Sequence, residues 1–371
     1  MHLCFIRFLV FQFLFIFAAV DAVLDVSWWS SVAQLSTSNI HLPSSTKSIC
    51  RELQGLSPGQ ANFCELFEDH MPAVGNGAKK AIEECEYQFK NQRWNCSTPP
   101  EAGVIGPIHK LGTKEAAFTY AILSAGVTHE IGRRCRLGML KSCGCSDTSK
   151  IPKDVAPDGV KDDWQWGGCG DNVDYGIKFS KNFIDVREKE TMKRSETHGR
   201  SLMNRWNNEV GRKILKRNTK AKCKCHGVSG SCNMKTCWMQ LPTIRQVGEI
   251  LEQKYRTARR IQINARGNMQ FESQPDKRNP MKKKRAVTEL VFLEDSPDYC
   301  RQDRQHGTVG TKDRICTKDP GAPNSCDILC CGRGYNSYTE DVVYKCKCKF
   351  QWCCEVVCQQ CRNQTEIHIC K

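Results

Sequence analysis

After its first twenty or so residues, the sequence has no apolar run long enough to cross a membrane. The one apolar run that it has extends from Phe8 to Val20 and is followed by Ala22, a small residue of the kind that signal peptidase prefers. We therefore predict a signal peptide over residues 1–22 and a secreted mature protein that starts near Val23.

The sequence has too few acidic residues to balance its basic ones. It contains 55 Lys and Arg residues against 40 Asp and Glu residues, which gives a formal net charge of +15. For an exported protein, the natural acidic partners are heparan sulfate glycans and membrane surfaces, and not nucleic acid. The alternative is a charged, solvated surface without a partner.

Cysteine is absent between Cys237 and Cys300 but dense on both sides of this gap. Of the 25 cysteines, Cys4 belongs to the predicted signal peptide, which leaves 24, an even number. In a secreted chain this density predicts disulfides. Twelve cysteines lie from Cys300 onward, so we expect cross-links of about 2–4 kcal/mol each to replace a large apolar core there.

No part of the sequence reads as alternating βα units, and the fold class that it predicts is α+β. Helical patterns cover Lys114 to Cys135 and Ile177 to Lys216, the second with a break near His198. Within the second region, Trp206 lies in an apolar stripe of helical spacing and is predicted to be buried.

The uneven cysteine density and the change in composition predict three parts of the mature chain. They are a mostly helical N-terminal domain that ends in a disulfide-clamped hairpin (23–238), a helix with a basic interdomain linker (239–289), and a small cystine-rich β-hairpin domain (290–371).

A basic run leads from the second helical region into the clamped hairpin. Its density predicts a contact with sulfated glycans, and the alternative is a solvated helix end. The run consists of Arg212, Lys213, Lys216, Arg217, Lys220, Lys222 and Lys224. A further basic group, Lys282–Arg285, fits a processing site, a glycan contact or an exposed loop equally well.

Four cysteines, Cys223, Cys225, Cys232 and Cys237, lie within fifteen positions on either side of Ser229. If they pair as two nested bridges, they clamp the arms of a short hairpin. The serine then lies at a tip of small residues, with its hydroxyl under little steric cover.

Three interpretations of this hydroxyl compete. The sequence GVSGS at 227–231 approaches the nucleophile elbow G-x-S-x-G, but Ser231 replaces the last glycine and no strand-to-helix turn is predicted. The cysteines with His226 have the residue types of a zinc site, whereas export and the even count favour disulfides. The third interpretation, which we favour, is a display loop whose hydroxyl is a contact or accepts a modification. We therefore predict neither an enzyme nor a metal site.

The C-terminal segment alternates in the manner of β-strands. In the sequence CKCK at 346–349, the alternation predicts cysteines on one face and lysines on the other. The arm is then predicted to end in Phe350, Gln351, Trp352, Cys353 and Cys354. An exposed tryptophan at such a tip is typical of a contact hot spot.

Two sequons for asparagine-linked glycosylation occur, at Asn95 and at Asn363. In a secreted chain each predicts a surface position.

Several motifs together resemble one family. CKCHGVSGSC, which begins at Cys223, is similar to the signature of the Wnt family of secreted signalling proteins. The resemblance covers nearly the whole mature chain and runs in the family's order through LSPGQANFC, QFKNQRWNC, KEAAFTYAILSAGVTHEI, WGGCGDN, LMNRWNNEVGRK and FQWCCEVVCQQC.

This resemblance implies a developmental signalling ligand that binds the cysteine-rich domain of Frizzled receptors. It implies that Porcupine esterifies Ser229 with a monounsaturated fatty acid, which also gives membrane association, and that no cofactor is needed. Further implied partners are the carrier Wntless, LDL-receptor-related co-receptors and heparan sulfate in the extracellular matrix. The implied receptor contacts are Gly227, Val228, Ser229, Gly230, Phe350, Gln351, Trp352, Cys353 and Cys354.

The resemblance also implies a complete disulfide pairing. In the N-terminal domain it joins Cys50–Cys64, Cys85–Cys96, Cys135–Cys143, Cys145–Cys169, Cys223–Cys237 and Cys225–Cys232. In the C-terminal domain it joins Cys300–Cys331, Cys316–Cys326, Cys330–Cys370, Cys346–Cys361, Cys348–Cys358 and the adjacent pair Cys353–Cys354. One departure from the family is Trp206, which stands where histidine is usual.

Overall fold

The structure is a computed structural model. It describes residues 28–35, 49–51, 53–97, 106–147, 164–193, 195–226, 235–272, 287–303 and 305–371, with only the backbone described over 164–166. The predicted signal peptide lies outside these residues.

The described helices and strands confirm the α+β class, with helices concentrated in the first two thirds of the chain. The helices are α1 Trp28–Gln34, α2 Pro58–Leu66, α3 Met71–Phe89, α4 Lys114–Arg136, α5 Val173–Phe183, α6 Asp185–Glu190, α7 His198–Arg217, α8 Ile244–Arg256 and α9 Cys326–Leu329. The strands are β1 Trp164–Trp166, β2 Lys220–Cys225, β3 Lys235–Gln240, β4 Arg259–Ile263, β5 Met269–Phe271, β6 Val291–Phe292, β7 Gln302–Asp303, β8 Thr308–Val309, β9 Ile315–Cys316, β10 Tyr335–Gln351 and β11 Glu355–Cys370.

Helix α4 is the centre of the first unit and is buried along most of its length. Thr113 caps its N-terminus by accepting a hydrogen bond from the amide of Ala116. Two neighbouring helices come close to it at glycines. A Cβ on Gly211 of α7 would collide with the carbonyl oxygen of Ala121, and one on Gly77 of α3 would lie 2.6 Å from that of Gly126. The missing side chains allow the helices to pack backbone against backbone.

The second helical region has more breaks than the sequence predicts. Where one break near His198 was expected, α5 and α6 are separated at Ile184, and residues 191–197 separate α6 from α7. At the second break, the hydroxyl of Ser195 donates to the carbonyl of Met192, 2.8 Å away. Such a local side-chain bond can compete with the helical ladder.

The structure divides into two compact units. The first comprises Met1–Cys85 and Thr98–Ser296, and the second comprises Glu86–Ser97 and Pro297–Lys371. The sequence assigned Glu86–Ser97 to the N-terminal domain. These residues join the second unit because the guanidinium of Arg314 donates to the carbonyls of Arg93 and Lys90, at 2.8 and 3.0 Å.

The second unit has a small core that is made mainly of cystines. Leu329 packs there with four cysteines and the half-buried Tyr335; the cysteines are Cys316, Cys326, Cys330 and Cys370. Covalent cross-links therefore contribute to this unit much of the stability that an apolar core contributes to other domains. Of the helices that the structure describes, none combines the length and the apolar character needed to cross a membrane.

Candidate functional site

The predicted hairpin is present at its base. Strands β2 and β3 pair antiparallel from Lys220–Gln240 to Cys225–Lys235, and β1 adds to the far side of β3 in parallel. Cys223 and Cys237 lie opposite each other and form a disulfide, with their Cα atoms 4.1 Å apart. The base of the hairpin is therefore fixed both by a sheet and by a covalent bond.

Asp171 attaches this base to the helical core. Its amide donates to the carbonyl of Met239 at 2.9 Å, and its carboxylate accepts from the amide of Leu241 at 2.9 Å. Arg136, in the last turn of α4, lies 3.4 Å from the same carboxylate. The motif WGGCGDN ends one residue after this aspartate, but its role could not be predicted because it depends on a strand 70 residues away.

The tip of the hairpin lies outside the described residues. This holds for the predicted lipid-bearing Ser229, for its predicted contact neighbours Gly227, Val228 and Gly230, and for Cys232. Cys225 is disulfide-bonded. The acylation, the receptor contact and the Cys225–Cys232 bond all stay predictions.

The basic run that leads to the hairpin is not one surface. Arg212 is 1% exposed and forms a paired hydrogen bond with Asp185, at 2.7 and 3.1 Å, so its prediction as a glycan contact was wrong. A buried guanidinium needs such a partner, because leaving the charge unpaired costs several kcal/mol, about 3–5. Lys216 pairs with Asp174 at 2.5 Å. On β2 the exposed positions alternate, which places Lys220, Lys222 and Lys224 on one face.

The second candidate site is a long arm made of β10 and β11. The strands are paired antiparallel from Tyr335–Cys370 to Gln351–Glu355 and are joined by two disulfides, Cys346–Cys361 and Cys348–Cys358. Because neighbouring side chains of a strand point to opposite faces, Cys358 and Cys361 lie on different faces of β11. The arm is thus cross-linked on both sides.

The simple alternation predicted for the sequence CKCK is interrupted. The pairing register shifts between Cys346 and Lys349, and Lys347 has a φ of 47°. This irregularity is a β-bulge, which turns the strand and breaks the two-residue period. The prediction of cysteines on one face and lysines on the other was wrong for this reason.

The tip of the arm presents apolar side chains to solvent. Trp352 is 97% exposed, Phe350 69% and Val356 60%, and Gln351 is exposed beside them. Phe350 and Val356 are cross-strand partners, so they share one face. An indole that is left in water forgoes most of the free energy that its burial would provide, about 25 cal/mol per Å². This arrangement has the character of a contact surface without its partner.

The predicted bond between Cys353 and Cys354 is not formed. Both are free, exposed thiols with their sulfur atoms 3.8 Å apart. The described chain has no cis peptide, and both residues have positive φ, 78° and 87°. The two thiols therefore lie close together at the tip of the arm without a bond between them.

Nine other predicted disulfides are present in the structure. They are Cys50–Cys64, Cys135–Cys143, Cys145–Cys169, Cys223–Cys237, Cys300–Cys331, Cys316–Cys326, Cys330–Cys370, Cys346–Cys361 and Cys348–Cys358. Cys85 and Cys96 are also disulfide-bonded. The sulfurs of Cys316, Cys326 and Cys330 lie together, but disulfides use all of them, which leaves no thiolate there for a metal.

The two sequons lie in different settings. Asn363 is exposed on β11, opposite Val342. Asn95 is half-buried, and its carboxamide oxygen accepts a hydrogen bond from the hydroxyl of Ser97 at 2.6 Å. Glycosylation at either position stays a prediction.

These features define a class of disulfide-rich protein with a cross-linked hairpin in each unit, of which the second presents an exposed apolar tip. Known proteins place the chain within that class. A family model described as the wnt family matches residues 52–371. Protein Wnt-2 of Caenorhabditis elegans is 62% identical over 354 residues, which is 95% of each chain. Protein Wnt-5a of Ambystoma mexicanum is 44% identical over 352 residues, 93% of each chain.

A solved structure agrees with these relatives. The complex of human WLS with WNT8A contains a chain that is 37% identical, with a TM-score of 0.57, and the match covers 81% of this chain and 94% of that one. The chain belongs to the Wnt family, a family of signalling ligands.

Proposed function

We propose that this protein is a secreted Wnt ligand that binds the cysteine-rich domain of a Frizzled receptor at two places. The first is an acyl chain on Ser229, and the second is the tip of the β10–β11 arm. The observation that carries the proposal is the indole of Trp352, which is held almost fully exposed at the end of a doubly cross-linked arm.

The clamped base of β2 and β3 suits a loop that presents a lipid. A flexible loop would allow the acyl chain to fold back onto apolar surface of the same molecule. A base fixed by the Cys223–Cys237 bond and by Asp171 limits that freedom before binding, which reduces the entropy cost of association. Burial of the acyl chain contributes about 0.8 kcal/mol per methylene, so a long chain supplies on the order of 10 kcal/mol.

The same lipid accounts for the other proposed partners. Porcupine would attach it in the secretory route, and a carrier such as Wntless would shield it from water. The similarity to the chain complexed with human WLS supports the second of these. The free lipid would also hold the secreted protein at membranes and in the extracellular matrix. LDL-receptor-related co-receptors and heparan sulfate complete the proposed set, with the protein acting as a ligand and not as an enzyme.

The test is equilibrium binding of the secreted, purified protein to an immobilised Frizzled cysteine-rich domain. We expect Ser229→Ala to lose most of the affinity, because the acyl contact is removed. We expect Trp352→Ala to weaken binding by about 2 kcal/mol, roughly thirtyfold, as is typical when a hot-spot aromatic is truncated.

The matched control is Tyr338→Ala, which removes an exposed aromatic from the same arm but far from its tip. It should bind like the parent. Equal affinities for the parent and Trp352→Ala would contradict the second contact, and full affinity of Ser229→Ala would contradict the first.

A further inference from the structure

The first unit contains an open, elongated groove whose floor is one face of α7. We call it the α7 groove; its other lining residues come from α5, α6, the segment after α6, the β4–β5 turn and Val287. Its volume is about 680 Å³. Its floor residues run from His198 to Lys213, which at 1.5 Å per residue gives a length of about 22 Å. The shape fits a chain-like ligand better than a compact one.

The lining of the α7 groove is strongly cationic. Six basic side chains face two acidic ones; the basic residues are Lys181, Lys193, Arg205, Arg212, Lys213 and Arg266. The acidic residues, Asp185 and Glu209, are already used. Both lie within 3.1 Å of Arg212, and Glu209 also lies 4.0 Å from Lys213.

Four cations are therefore left over, each on a different segment. They are Lys181 on α5, Lys193 after α6, Arg205 on α7 and Arg266 in the β4–β5 turn. Within the described part of the chain, no carboxylate lies at ion-pairing distance from any of them. Like charges that converge without counter-charges raise the free energy of the unliganded protein, and a polyanion would relieve this repulsion.

Trp206 gives the α7 groove an aromatic surface. The sequence predicted this residue to be buried, but it is half-buried and lines the groove. Its indole N–H donates to the carbonyl of Glu289 at 2.9 Å, and its ring meets Phe271 edge to face at 6.0 Å. The ring is thus held in a fixed position, where a flat apolar surface can pack against the less polar face of a sugar ring.

From these observations we propose that the α7 groove binds a sulfated glycosaminoglycan chain. The inference rests on the proposed function, because it gives a location to the heparan sulfate contact included there. The four unpaired cations hold sulfate and carboxylate groups, and Trp206 packs against a sugar ring between them. Arg212 does not contact the ligand; it keeps Asp185 and Glu209 neutralised so that the groove stays positive.

The test compares two triple variants of the full-length secreted protein that lose the same charge. Lys181→Gln with Arg205→Gln and Arg266→Gln removes three cations from the α7 groove. Lys220→Gln with Lys222→Gln and Lys224→Gln removes the exposed lysines of β2. We expect the groove variant to bind a size-defined heparin oligosaccharide about tenfold more weakly than the parent, because three exposed ion contacts are lost. We expect the β2 variant to bind nearly as well as the parent.

Equal losses in the two variants would overturn the proposal, because the binding would then follow net charge and not the groove. The same conclusion would follow if the groove variant lost binding to phosphatidylserine vesicles but kept its heparin affinity. If the triple variant is not secreted, Arg266→Gln alone, in an exposed turn, serves instead and should still weaken heparin binding measurably. Affinity of the groove variant for the Frizzled cysteine-rich domain, measured without glycan, should match the parent, so failure of the groove proposal and failure of the receptor proposal give different results.

Discussion

His129 is a buried histidine for which the folded state favours the neutral form. Burial lowers the pKa of His129 to about 4, with Lys80 acting in the same direction and Glu130 opposing it. Its Nδ1 has no hydrogen-bond partner among the described residues. In the unfolded chain the ordinary pKa of about 6.5 returns. The unfolded state therefore takes up a proton first as the pH falls, and stability is lost between pH 6.5 and pH 4.

We expect the parent protein, with its disulfides intact, to lose about 2 kcal/mol more unfolding free energy than His129→Gln between pH 7.5 and pH 5. Guanidinium unfolding of both proteins at the two pH values measures the difference. The parent and the variant share all other titrating groups. The difference between their pH dependences therefore isolates the contribution of His129. Parallel pH dependence in the two proteins would show that His129 is not a buried neutral group.

Individual residues also mark the limit of what the sequence can predict. The nine observed pairs were implied by the family resemblance and not by the spacing of the cysteines, which leaves many pairings open. The partner of Arg212 could not be predicted, because Asp185 precedes it by 27 residues and belongs to a different helix. In the sequence Arg212 is one member of a basic run, and only tertiary packing shows that it is buried.

At the scale of elements, the packing of α7 on α4 depends on Gly211. At a helix position where the added Cβ meets no other atom, replacing glycine by alanine stabilises a protein by about 0.4–1 kcal/mol. Here the new Cβ would overlap the carbonyl oxygen of Ala121, and a main-chain atom in a packed helix cannot move aside. We therefore expect Gly211→Ala to destabilise the protein by about 1–3 kcal/mol or more, measured by thermal or denaturant unfolding.

The matched control is Gly144→Ala. A Cβ at that position meets nothing within 4 Å, so the stability should change little. If Gly211→Ala were as stable as the parent, α7 would not pack against α4 as closely as the structure has it.

Helices and strands could be predicted from the sequence where the local pattern of apolar residues determines them. The sequence predicted a helix over Lys114 to Cys135, and α4 covers Lys114–Arg136. It did not predict the bulge in β10, because the residues of the CKCK sequence have an unbroken alternation and only pairing with β11 forces the shift. It did not predict the additional break at Ile184 either.

At the scale of the whole molecule, the two units are stabilised by different means. The first has a buried helix at its centre, and the second has a core of cystines and one leucine. The sequence indicated this contrast through the cysteine density after Cys300. It could not indicate that Glu86–Ser97 belongs with the second unit, because the contacts of Arg314 with that segment span more than 220 residues.

Each unit contains a disulfide-linked hairpin, and we propose a receptor contact for each. The bond Cys223–Cys237 joins the strands of the first hairpin at its base, whereas Cys346–Cys361 and Cys348–Cys358 join the strands of the second toward its tip. The arm of the second unit is described to its tip, and its exposed Trp352 is compatible with that assignment. The hairpin of the first unit depends on Ser229, at a tip that lies outside the described residues. The central claim is therefore chemical: this serine carries a fatty acyl group.

Intact-mass analysis of the secreted protein, after enzymatic removal of asparagine-linked glycans, tests this claim most directly. The account predicts an adduct with the mass of one monounsaturated fatty acyl group on the parent protein and its absence from Ser229→Ala, with the disulfides otherwise unchanged. A parent protein that binds its receptor at full strength and carries no such adduct would contradict the account.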